Sequence, residues 1–108
     1  MATGRLGVLD ITVPATDTLL YTAPAGYFTM ATLSLCNRGN NPVTVRVGIC
    51  TTNSAIGANE FIEFETEILS HGVLERTGLV ISPGYSILVR STGTLVSCVA
   101  YGIETSTS

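Results

Sequence analysis

The chain is expected to fold as an all-β sandwich, and three features of its sequence predict this. Apolar residues recur with a period of two. In Pro42–Cys50, P-V-T-V-R-V-G-I-C, the residues Val43, Val45, Val47 and Ile49 fall on one face and Thr44, Arg46 and Gly48 on the other. That is the pattern of a half-buried strand. Seven to nine such short segments follow one another at spacings near ten residues, punctuated by Gly, Pro, Asn and Ser. The composition agrees: 16 Thr and 11 Gly stand against no Lys, Gln or Trp, which does not suit a helical bundle. With 45% hydrophobic residues and a net charge of -3, the chain is not of the disordered class. Its 108 residues make one domain, spanning 1–108, that buries about two-thirds of its unfolded surface.

The elements follow in order. Arg5–Val13 and Thr18–Thr22 read as strands separated by Pro14-Ala15-Thr16-Asp17. Ala23-Pro24-Ala25-Gly26 turns the chain into Tyr27–Cys36, where Ala31, Leu33 and Leu35 share one face and Phe28, Met30, Thr32 and Ser34 the other, so both faces are expected to be partly covered. Asn37-Arg38-Gly39-Asn40-Asn41 joins this strand to Pro42–Cys50, read as a hairpin. If Leu33 and Leu35 share a face with the odd-numbered valines, facing positions have an even sum, which requires a loop of three or five residues. Cys36 and Cys50 then sit at opposite ends of the hairpin, about 20 Å apart at roughly 3.3 Å per residue, too far for a disulfide. Thr51–Ala58 is a polar loop. Glu60–Ile68 puts Ile62, Phe64, Thr66 and Ile68 on one face and Glu63, Glu65 and Glu67 on the other. Ser70-His71-Gly72 breaks the run, and Val73–Ile81 holds one or two short strands around Thr77-Gly78. Pro83-Gly84 suits the central pair of a type II turn. Tyr85–Ser91 and Thr94–Glu104, joined at Thr92-Gly93, complete a second hairpin. Met1–Gly4 is expected as a flexible arm, with the strand-like Arg5–Val13 behind it able to reach a neighbouring subunit, and Thr105–Ser108 as a frayed tail. The two hairpins and the long connections favour a Greek-key or jelly-roll sandwich over a closed barrel.

Charge and motifs exclude several functions. Net charge is -3, and the five Arg (Arg5, Arg38, Arg46, Arg76, Arg90) are scattered, so no phosphate-binding patch and no nucleic-acid partner are expected. No apolar run approaches the roughly 18 residues of a membrane span. The N-terminus lacks the pattern of a secretory signal, and the chain is expected to be a complete intracellular product. Cys36, Cys50 and Cys98 lack the close pairing of a zinc site and read as small buried side chains. The stripe Glu63, Glu65, Glu67 reads as a solvated or partner-facing face, since calcium binding or acid–base work needs carboxylates converging from several segments. His71 stands in a turn without a G-x-S-x-G serine motif. Tyr21, Tyr27, Tyr85 and Tyr101 are candidates for a sugar platform, but read as core or rim. No catalytic, cofactor or metal residue is nominated, and no enzyme is expected. Edge strands without Lys, together with a mean hydropathy of +0.45, point to surface covered by other subunits, that is, a homo-oligomer or a subunit coating a larger body.

Certain strings carry a resemblance. They are Leu20-Tyr21-Thr22-Ala23-Pro24-Ala25-Gly26, Cys36-Asn37-Arg38-Gly39, Thr44-Val45-Arg46-Val47-Gly48-Ile49, Glu60-Phe61-Ile62-Glu63, Gly72-Val73-Leu74-Glu75-Arg76-Thr77-Gly78, Pro83–Arg90 and Val99–Glu104. Together, over roughly Thr18 to Glu104, they resemble small β-rich virion structural proteins of tailed bacteriophages, including those of cyanophages. The resemblance implies a non-enzymatic virion component assembled in the host bacterial cytoplasm. A capsid decoration or cement protein is favoured, often trimeric, binding the major capsid protein across capsomers. A neck, tail or fibre-associated subunit is the alternative, and a carbohydrate-binding module the third reading.

Overall fold

Leu33 and Leu35 do share the interior with Val45 and Val47, but from opposite sides of it. The computed structural model describes residues 3–12, 14–51, 56–57 and 59–106. They form eight strands: β1 (Thr3–Ile11), β2 (Thr18–Thr22), β3 (Tyr27–Asn37), β4 (Val43–Cys50), β5 (Phe61–Ile68), β6 (Val73–Ile81), β7 (Ser86–Ser91) and β8 (Val96–Ser106). Two four-stranded antiparallel sheets result, sheet A in the order β1-β8-β3-β6 and sheet B in the order β2-β7-β4-β5. This all-β sandwich has the order of an eight-stranded jelly roll. Among the described residues, no helix is long and apolar enough to cross a membrane.

The pairing has a simple logic. β4 pairs with β5, β3 with β6, β2 with β7 and β1 with β8. Val43 faces Ile68, Thr29 faces Ile81, Thr18 faces Val89 and Thr3 faces Ile103. The two halves of the chain are thus zipped into one ribbon, turned at residues 51–60 and rolled so that β3 also meets β8 and β4 meets β7. Rolling brings the apolar faces together. Ile11, Leu33, Leu35, Val45, Val47, Ile81, Ile87, Val89 and Val96 are all essentially inaccessible to water.

Neither expected hairpin forms. β3 and β4 lie in different sheets, as do β7 and β8, so the 38–42 and 92–95 connections arch across the sandwich. Face-sharing parity does not separate two strands side by side in a sheet from two strands facing across a core. Here the latter wins because it buries the odd-numbered residues of both strands against each other. The decision is held by Asn37, which is fully buried. Its Nδ2 donates to the carbonyls of Asn41, Ile68 and Leu69 at 2.8, 3.2 and 3.2 Å, and its Oδ1 accepts from the Gly39 amide at 2.9 Å. Its own amide donates to the Gly72 carbonyl, and the next amide, of Arg38, donates to Leu95. One side chain therefore ties the β3–β4 arch to the β5–β6 turn.

At the other end of the core, the Tyr21 hydroxyl of β2 donates to the Glu104 carboxylate of β8 and shares a 2.8 Å hydrogen bond with Thr29 of β3. All three residues are buried. The lateral edges are closed differently. At the β1–β2 edge the backbones come so close that a Cβ on Gly7 would lie 2.5 Å from the Leu20 carbonyl oxygen, so only glycine fits. At the β5–β6 edge the Arg76 guanidinium donates to the Glu63 carboxylate and the Ile62 carbonyl, bridging the sheets.

Other expectations are refined. Val73–Ile81 is one strand, with a register shift where Thr77 and Gly78 lie opposite Thr32. Ser82–Tyr85 closes as expected around Pro83-Gly84, with Gly84 at φ +81° and the Tyr85 amide donating to Ser82 at 3.0 Å. The arm and tail are shorter than expected: β1 is already paired from Thr3, and β8 runs to Ser106 opposite Tyr27. Residues 1–2 and 107–108, and the expected strand end at Val13, lie outside the described residues. β1 pairs with the chain's own β8 and buries Ile11, so it is not an arm for a neighbour.

Substituting Asn37→Ala is expected to cost about 2–4 kcal/mol in urea unfolding, because buried carbonyls lose their donor. Asn37→Asp, which keeps the shape and removes the Nδ2 donors, should cost a similar amount. A loss below about 0.5 kcal/mol in both would show that the arch does not depend on this side chain.

Candidate functional site

The acidic stripe does not survive folding. Opposite β5, Val45 faces Thr66 and Val47 faces Glu63, so Phe64 and Glu65 together oppose Arg46 in a β-bulge, with Glu65 at φ +54°. The bulge shifts the alternation. Glu63 turns to the gap between the sheets and pairs with Arg76, Glu65 faces out and pairs with Arg46 at 2.7 Å, and Glu67 is exposed. Phe64, expected inside, is exposed, with its ring 4.9 Å edge-to-face from Phe61 and the Arg46 guanidinium 4.5 Å above its centroid. The hydrogen bond from Arg46, and then its charge, hold the Glu65 carboxyl below its usual range. The three carboxylates are thereby sent to three different surroundings.

His71 sits exposed in the β5–β6 turn at φ +60°, its Nδ1 3.0 Å from Ser70 Oγ. Ser70 Oγ–H donates to the Gly39 carbonyl at 3.0 Å. With its only proton so engaged, the hydroxyl accepts from Nδ1–H, the reverse of what a nucleophile activated by a basic imidazole requires. The tyrosines do not assemble. Tyr21 is buried, Tyr27 and Tyr85 flank turns, and Tyr101 lies on the outer face of sheet A. A shallow cavity of about 250 Å³ lies between the 38–42 and 92–95 arches, bordered by Asn37, Pro42, Thr92 and Leu95. The Asn37 amide there is already fully engaged by the chain. Among the described residues, no group of His, Cys, Asp or Glu is placed to hold a metal ion.

The cysteines are free thiols. Cys98 is buried in the core, and burial pushes its thiol up to about 12. Cys50 lies on the outer side of sheet B, level with Gly48 and opposite Ser86. There Ile56 lies over Gly48. Burial, and then the neighbouring Glu60 carboxylate, push the Cys50 thiol up to about 11. Cys36 is only half-buried.

The two outer faces differ sharply. The face of sheet B carries the Arg46–Glu65 pair and the Arg90–Asp17 pair, and it is partly covered by Ile56, whose amide bonds to Asp17 at 3.0 Å, and by Glu60, which accepts from the Thr51 amide. The outer face of sheet A is open. Its register sets four rows across the strands. They are Val80–Met30–Ile103, then Thr32–Tyr101–Arg5, then Glu75–Ser34–Val99–Val8, then Val73–Cys36–Ser97–Asp10. Val8, Met30, Val73, Val80 and Ile103 are each 51–61% exposed. The charged residues, Arg5, Asp10 and Glu75, stand only on the two outer strands of this sheet. Asp10 is neutralised by Arg38, and Glu75 accepts from the Tyr101 hydroxyl at 3.3 Å. The sequence pattern left both faces of β3 open to cover. It did not reveal this surface, because the surface is assembled from four strands distant in the chain.

The edges also differ from expectation. Each of the four edge strands, β1, β2, β5 and β6, carries at least one register shift. Bulges are, like Lys, a device that blunts an edge against strand addition. The unguarded surface is therefore a face and not an edge. Comparison with known proteins gives no match, either to a protein-family model or to a curated protein sequence.

Two measurements test the buried groups. A thiol reagent at pH 8 and low protein concentration is expected to label Cys36 in the native protein, and Cys50 and Cys98 only after unfolding. Equal rates at all three would contradict their burial. Tyr21, pushed up to about 12 by burial and by Glu104, joins Cys50 and Cys98 in a pH effect. Each raised group contributes stability that is complete below its unfolded value, near 9 for the thiols and 10 for the phenol, and lost as pH climbs through the folded value. The melting temperature should fall steadily between pH 9 and 12, and Tyr21→Phe should flatten the upper part of that fall.

Proposed function

We propose that the chain is a non-enzymatic structural subunit of a bacteriophage virion, a capsid decoration or cement protein that works within an assembly of subunits and stabilises the shell by binding across capsomers. The observation that carries this reading is the outer face of sheet A. It is four strands wide, charged only on its outer strands, and exposes Val8, Met30, Val73, Val80 and Ile103 together. Contiguous exposed apolar patches of this kind mark interaction sites. The low charge and the resemblance to small phage virion proteins point the same way. A jelly-roll body suits the role, since its interior is fully committed to holding its faces in shape.

The mechanism is mass action. A subunit that binds only the assembled shell stabilises it by RT ln(1 + [L]/Kd) per site, and repeated copies across capsomer seams multiply the effect. The test uses phage shells lacking the protein. Saturable co-sedimentation, with a rise in the temperature at which the shells open, is the expected result. Absence of binding at high micromolar concentration would overturn the capsid reading. Binding confined to a single vertex would move the protein to the neck or tail.

A further inference from the structure

Resting on that reading of the chain as a structural subunit, we propose that the outer face of sheet A docks onto the same face of a second copy, in a two-fold arrangement. The occupant is argued from three features. The first is charge. Arg5 stands on β1, at one margin of the face, and has no ion pair with any described residue. Glu75 stands on β6, at the opposite margin, drawn toward the face by the Tyr101 hydroxyl. Between them the two middle strands, β8 and β3, present Met30, Thr32, Ser34, Val99, Tyr101 and Ile103, none of which is charged. A two-fold axis lying along the face, near the strand direction, sets β1 of one copy over β6 of the other. Arg5 and the partner's Glu75 are then offset by one side-chain row, about 7 Å, within the reach of an arginine. Symmetry makes the contact twice. The face is thus complementary to itself, as an isologous interface must be.

The second feature is size. Four strands about 4.8 Å apart and eight residues long at about 3.3 Å each give about 19 by 26 Å, on the order of 500 Å² per copy in projection. A pair buries on the order of 1,000 Å², the threshold of a specific interface. The third is what stands against other self-contacts. The bulged edges oppose pairing by strand addition, and the outer face of sheet B carries two ion pairs and has Ile56 lying over Gly48. Stacking the open faces meets neither obstacle, and it is the geometry by which β-sheets pack in sandwiches.

Sedimentation velocity across micromolar to millimolar concentration tests the proposal. The expected result is a reversible monomer–dimer equilibrium, with Cys36 labelling slowing as dimer forms. Met30→Glu combined with Val8→Glu, both at exposed positions, should raise the dimer dissociation constant about 100-fold while leaving the melting temperature of the monomer unchanged. Leu19→Glu, on the sheet B side, should leave dimerisation unchanged. Arg5→Glu alone and Glu75→Arg alone should each weaken it about tenfold, and the two together should restore it to within about threefold. A chain that is monomeric throughout overturns the proposal, and so does dimerisation indifferent to Met30→Glu with Val8→Glu. Failure of the paired charge reversal to restore dimerisation overturns the two-fold arrangement. Shell binding, measured on the same variants, separates the two readings. If it survives the loss of dimerisation, the cement reading stands by itself; if dimers form but never bind shells, the cement reading fails and this one stands.

Discussion

One buried amide side chain holds the top of this sandwich together. Asn37 donates from Nδ2 to the carbonyls of Asn41, Ile68 and Leu69 and accepts from the Gly39 amide, while its own backbone amide reaches Gly72. Two of the carbonyls it serves, of Asn41 and Leu69, lie outside the strands, and burying such groups unpaired would cost about 1–3 kcal/mol each. An arch that crosses between sheets needs such a clamp. A tight hairpin satisfies its own backbone, whereas a crossing connection leaves polar groups facing the core. The choice of sandwich over hairpin thus rests on chemistry at a single position, and the polar trio Tyr21, Thr29 and Glu104 does similar work at the far end.

Most of the fold was legible because the strands obey their period. All eight segments, both ends of the β4 alternation and the Pro83-Gly84 turn are local properties, written in adjacent residues. Pairing was not local. Parity placed Leu35 and Val45 on one face of something, and a core between two sheets satisfied it as well as a single sheet would. Glu65 shows the other limit. One residue in a left-handed conformation reverses the faces on either side of it, so Phe64 leaves the core and Glu63 enters the gap between sheets. Nothing in E-F-I-E-F-E-T-E-I marks that residue, because the bulge answers to the partner strand.

The surface repeats this lesson. The absence of Lys suggested unguarded edges, yet each edge strand carries a bulge, and six of the exposed large apolar residues gather on one face instead. No short motif encodes that face. It arises where β1, β8, β3 and β6, from both ends and the middle of the chain, happen to present Val, Met, Ile, Ser and Thr outward together. Composition carries no position, so only the strand order shows which apolar residues stand together on the surface.

The rolled ribbon also sets a schedule. β4 and β5 are separated only by the 51–60 connection, so their meeting closes a short loop at little entropic cost. Each later pair then closes onto strands already held together. Thr3 and Ile103, by contrast, meet across nearly the whole chain. Loop closure therefore favours growth outward from the β4–β5 pair, with the β1–β8 pairing the most expensive in chain entropy, and contacts this distant in sequence are the kind that slow folding.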